Sequence, residues 1–76
     1  MKTVLEILHD IRPEFDFRDS SDFLSDGLLD SLDLITFVSD LDKTYGISIE
    51  GIEIIPENFQ NLPAIQALLA KHGIRP

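Results

Sequence analysis

Cysteine is absent from the 76-residue chain. Disulfides and thiolate metal sites are therefore excluded, and a secreted disulfide scaffold is disfavoured. Basic residues are scarce, six against fourteen acids, for a formal net charge of −8. Binding to a phosphate backbone needs clustered Lys and Arg, so nucleic acid is not an expected partner. The acidity suits a basic protein partner and keeps a small domain soluble, while its self-repulsion weakens the fold somewhat. No apolar run approaches the ~20 residues that span a membrane. Met1-Lys2-Thr3 leads straight into an amphipathic pattern, with no signal-peptide core behind it. Repeats, low-complexity tracts and alternating runs of useful strand length are also missing. The expectation is one domain over residues 1–76, monomeric and cytoplasmic, with no transmembrane segment.

What is present is helical. With 43% apolar residues the chain can form a core, though a thin one. From Thr3 to Ile11, Val4, Ile7, Leu8 and Ile11 share one face at helical spacing, and Pro13 stops the helix because its ring cannot continue the backbone pattern. Residues 14–30 hold no periodicity and place Phe15, Phe17 and Phe23 among acids, serines and Gly27. They read as an extended loop tied to the core by aromatics, and an unstructured loop of that length is often functional. Helicity resumes at Ser31 and runs to about Tyr45, with Gly46 placed as its C-terminal cap. Leu34, Phe37, Val38, Leu41 and Tyr45 form its apolar stripe. A brief turn starts near Pro56 and includes Phe59. Asn61 caps a last helix bearing Leu62, Ile65, Leu68 and Leu69 on one side, with Lys71 and His72 at its negative end and Gly73 closing it. The fold class is all-α, a small bundle of three main helices and one short helix.

The run "DGLLDSLDLITF", residues 26–37, contains more than this fold requires. Asp30 and Ser31 are both good N-caps, and a helix start needs one. If Asp30 caps, Ser31 is the first helical residue and its hydroxyl is free, so that an anion attached there would sit at the positive end of the helix. Local physics leans the other way, towards Ser31 as the cap with Asp30 in the loop, even though no Glu or Gln follows Ser31 by three residues to complete a capping box. Leu32 and Ile35 lie off the apolar stripe, among Asp33, Thr36, Ser39 and Lys43, and resemble a small docking patch.

Two chemical alternatives are weaker. A serine nucleophile needs a base and an oxyanion site, but His9 and His72 belong to other helices and Ser31 has no glycine-flanked elbow. Asp22, Asp26, Gly27, Asp30 and Asp33 match positions 1, 5, 6, 9 and 12 of a calcium loop. Leu24 at position 3 has no ligand oxygen, Asp33 stands where a bidentate glutamate belongs, and no helix precedes the loop. No metal ligand is assigned.

Asp30-Ser31-Leu32, opening the second helix of a short acidic bundle after an acidic loop, resembles the motif of the acyl carrier protein family. Phe23 stands at that family's aromatic anchor, Asp33-Leu34-Ile35 continues the motif, and the Pro56–Phe59 turn with the final amphipathic helix completes a likeness that spans nearly the whole chain. The resemblance implies a non-catalytic carrier whose Ser31 receives 4′-phosphopantetheine from coenzyme A and holds cargo as a thioester. It implies that Asp30 assists recognition by the phosphopantetheinyl transferase near its magnesium, and that Leu32, Asp33, Ile35 and Thr36 form the face gripped by partner enzymes. Those partners would be the transferase, an acyl- or aminoacyl-loading ligase and biosynthetic enzymes with basic docking patches. The "GLLDS" run looks more like aminoacyl carriers, D-alanyl and peptidyl ones included, than fatty-acid carriers. Thr36 in place of a usual glutamate, and Lys43 on the acidic side, also depart from the fatty-acid version, so the resemblance leaves the cargo open between acyl and aminoacyl groups. An acidic helical adaptor without a prosthetic group and a divalent-ion module are the alternatives.

Overall fold

The computed structural model describes residues 2–74. Its first helix, α1 (Val4–Ile11), begins at a capping box: the Thr3 hydroxyl accepts from the Glu6 N–H while the Glu6 carboxylate accepts from the Thr3 N–H. Two of the orphan donors at the helix start are thereby satisfied. Val4, Ile7 and Leu8 are buried, as the spacing predicts, and Ile11 is half-buried. The helix ends at Arg12, whose N–H still donates to the Leu8 carbonyl at 3.0 Å. Pro13 cannot add another turn.

α2 (Ser31–Tyr45) follows the long loop and buries Leu34, Phe37, Val38 and Leu41. Tyr45, at the end of the stripe, is half-buried and its hydroxyl donates to the Lys2 carbonyl at 3.1 Å. Gly46 terminates the helix at φ +66°, a left-handed conformation that costs glycine nothing. Asp42 then accepts from the Ile49 N–H at 3.0 Å, so the chain leaving α2 is held while Ile49 enters the core.

A 3₁₀ turn at Gly51–Glu53 precedes the short α3 (Pro56–Phe59); the connecting segment had no predicted helix there. Asn61 caps α4 (Leu62–Lys71) through its side-chain oxygen, which accepts from the Ala64 N–H at 2.9 Å. Ile65, Leu68 and Leu69 are its buried residues, with Leu62 half-buried. α1 packs on α2 and α3 on α4, and the edge-to-face pair Phe37–Phe59, 6.1 Å between ring centres, joins the two halves. The molecule is a small all-helical bundle of three main helices and one short one, with no strand among the described residues. No described helix is long and apolar enough to cross a membrane.

The loop between α1 and α2 is more ordered than an extended reading suggests. It contains a 3₁₀ turn at Phe17–Asp19, capped by Asp16. Phe17 and Phe23 are buried edge-to-face at 5.1 Å, and Phe15 is half-buried. The Phe23 carbonyl accepts from both the Leu28 and Leu29 N–H groups, while its own N–H donates to Gln60 at 2.6 Å. Asn61 adds a hydrogen bond from Nδ2 to the Ser21 carbonyl at 3.3 Å. The loop is thus fastened at the α3–α4 junction, and buried Leu29 fixes the entry to α2.

The two faces of α2 should separate in stability measurements. Leu41→Ala, at a fully buried site, is expected to cost about 2–5 kcal/mol. Ile35→Ala, at a site 62% exposed, should fall within about 0.5 kcal/mol of the parent. Urea melts with coincident midpoints for the two variants would contradict the assignment of faces.

Candidate functional site

Asp30 is the N-cap of α2. Its Oδ1 accepts from the Asp33 N–H at 2.8 Å, and Asp33 Oδ2 accepts in return from the Asp30 N–H at 3.3 Å. This is a reciprocal capping box displaced one residue from the position expected for Ser31, with aspartate doing the work of the usual glutamate. The local preference for Ser31 as cap is therefore corrected. The deciding group, Asp33, lies three residues after Asp30 and not three after Ser31.

Ser31 becomes the first residue of α2 and is exposed. Among the described residues no hydrogen bond engages its hydroxyl. Leu32 and Ile35 follow at 75% and 62% exposure. Both are far more open than the stripe residues between and beyond them, so an apolar surface adjoins a free hydroxyl. Thr36 is exposed too, and its hydroxyl donates to the Leu32 carbonyl at 3.2 Å, which satisfies it within the helix.

Asp33 differs from its neighbours. Its side chain is only 15% exposed, because Arg12 reaches across from the end of α1 and donates from Nε to Asp33 Oδ2 at 2.7 Å. One terminal nitrogen of Arg12 lies 3.5 Å from Asp30 Oδ2, and the other 3.6 Å from Glu14. Asp33 thus faces inward to the cap and the guanidinium, and does not lie open on a docking face with Leu32, Ile35 and Thr36. Hydrogen bonding to the Asp33 N–H and the positive charge of Arg12 hold the Asp30 carboxyl below the usual carboxylate range. Arg12 is raised above its ordinary value by its bond to Asp33. Sequence reasoning passed over Arg12. The available signal was a rare base at a proline-stopped helix end, in a chain where acids outnumber bases.

The remaining candidates are dispersed. Asp22 accepts from the Leu24 and Ser25 N–H groups, and Asp26 accepts from the Ser20 hydroxyl. Among the described residues no group of three or more acids or histidines is arranged to hold a metal ion. His72 contacts Glu53 through Nε2 at 3.0 Å, and His9 is exposed beside a shallow hollow lined by Leu5, Phe15 and Arg18. Neither imidazole is hydrogen-bonded to Ser31. What the arrangement offers chemically is an accessible hydroxyl at the positive end of a fifteen-residue helix, favourable for an attached anion.

Comparison with known proteins yields no match: no family model, no curated protein and no solved structure is similar to this chain.

The cap assignment has measurable consequences. Ser31→Ala should leave stability within about 0.5 kcal/mol, since the serine makes no capping bond, whereas Asp30→Ala should lower the urea midpoint clearly. Because the folded-state pKa of Asp30 is depressed, its stabilisation is complete above the unfolded value near 4 and is lost as pH falls through the folded value. Asp30→Asn keeps a capping oxygen without a titrating proton, so its melting temperature should fall less steeply than the parent's below about pH 4. Parallel acid melts that show identical slopes would remove Asp30 from the cap.

Proposed function

We propose that this chain is a carrier domain that holds acyl or aminoacyl groups as thioesters on a 4′-phosphopantetheine arm attached to Ser31. The observation that carries the reading is the exposed Ser31 hydroxyl at the first position of α2, without a hydrogen-bond partner among the described residues because Asp30 makes the cap. An N-terminal serine in that position can bear a phosphodiester where the helix dipole is favourable. The residues therefore fit the group that the Asp-Ser-Leu resemblance implies. When bound, the arm supplies a terminal thiol, a chemistry that a cysteine-free chain lacks.

On this reading the chain has no catalytic residue. Ser31 is a substrate for a phosphopantetheinyl transferase: its Oγ bonds to the phosphorus of the coenzyme A diphosphate, the bond from that phosphorus to the adenosine bisphosphate breaks, and the hydroxyl proton is released. Asp30, 61% exposed through its side chain, is available to the transferase and its magnesium. Leu32, Ile35 and Thr36 present the adjoining face to a loading ligase and to biosynthetic enzymes. Basic patches on those enzymes would match a chain of net charge −8, with the charges acting mainly on association rate. The "GLLDS" run favours aminoacyl cargo, and a monomer in the cytoplasm suits the role.

Incubation with coenzyme A, magnesium and a broad-specificity transferase should add the mass of one arm, and Ser31→Ala should add none while keeping its helical circular dichroism. An unchanged parent mass, beside a known carrier modified in the same tube, would sink the carrier reading and leave the acidic adaptor.

A further inference from the structure

Arg12 occupies an unusual place: it belongs to the end of α1, yet its guanidinium lies against the start of α2. Its backbone is held by the Leu8 carbonyl and by the proline that follows. Its side chain is about one-third exposed, so its charge is partly sheltered from solvent. Resting on the reading of Ser31 as the attachment site, we propose that Arg12 is a positioning residue for modification of Ser31, holding Asp33 in the cap and offsetting the carboxylates that an anionic donor must approach.

Three carboxylates, those of Glu14, Asp30 and Asp33, lie within 3.6 Å of this one guanidinium. Removing Arg12 takes away the positive charge shared by all three, two of which, Asp30 and Asp33, form the cap on either side of Ser31 in the chain. The donor of the arm is itself anionic, and its phosphorus must come within bonding distance of Ser31 Oγ before the bond to the nucleotide leaving group breaks. Like charges gathered there oppose that approach. Geometry adds to the charge effect. The Nε contact fixes the Asp33 oxygen that accepts from the Asp30 N–H, so Arg12 also steadies the turn that orients Ser31. A lysine can restore the charge but cannot reproduce a fork that bonds Asp33 through Nε while reaching Asp30 and Glu14 with its terminal nitrogens.

A purely structural staple between α1 and α2 would act differently, and three variants distinguish the two. Arg12→Gln should slow arm transfer to Ser31 by roughly tenfold or more under conditions where circular dichroism shows it folded. Arg12→Lys should recover part of the rate. Arg12→Gln with Asp33→Asn should be faster than Arg12→Gln alone, because the stranded charge is gone while an asparagine oxygen can still accept the Asp30 N–H. Carboxyl NMR gives a readout independent of transfer: the Asp30 titration should move up in Arg12→Gln. A modified parent with an equally fast Arg12→Gln, or a double variant no faster than the single one, overturns the proposal while leaving the carrier reading intact. A parent that accepts no arm at all sinks the carrier reading and this inference with it.

Discussion

The contact between the Arg12 guanidinium and Asp33 ties the end of one helix to the beginning of the next, and the geometry around Ser31 depends on it. The contact is short, at 2.7 Å, and its carboxylate is largely shielded from solvent. Salt therefore screens it less than it would an exposed pair. Its importance lies in what Asp33 does with the same oxygen, which also accepts from the Asp30 N–H. One carboxylate thus serves the interhelical ion pair and the capping box together. Asp30 makes the reciprocal bond, and Ser31 is relieved of any capping duty.

The long loop contributes by setting where α2 starts. Phe17 and Phe23 anchor it in the core, and backbone bonds at Phe23 curl the segment before Leu29. Gln60 and Asn61 receive it at the junction of α3 and α4. A loop whose only regular element is one 3₁₀ turn is thereby ordered by its aromatics and its backbone bonds. The same economy leaves the apolar surface of Leu32 and Ile35 outside the core, where their exposure is consistent with the contact role we propose for them.

Charge on this surface is not uniform in consequence. A net charge of −8 suggests that every acid near Ser31 faces a basic partner. Asp33 is instead occupied by Arg12, while Asp30 retains most of its exposure. If the chain is a carrier, as we propose, Asp30 is the acid presented beside the attachment point, and Asp33 acts on recognition indirectly, through the cap.

Much of the fold was legible in the residue pattern. Apolar spacing located all three main helices, Pro56 marked the short one, and Gly46 and Asn61 marked boundaries, because these signals act within a few residues of chain. The exposure of Leu32 and Ile35 followed from helix phase alone. The order within residues 14–30 did not, since its local turns at Asp16 and Phe23 are fastened by bonds to Gln60 and Asn61, some forty residues away. The cap at Asp30 did not follow either, because both residues are competent and local physics leans towards Ser31. The residue that completes the box, Asp33, stands three places after Asp30 in the chain. What only the tertiary structure supplies is Arg12: folding α1 against α2 brings its guanidinium onto the carboxylate that bonds back to Asp30, beside a serine hydroxyl left free of the cap.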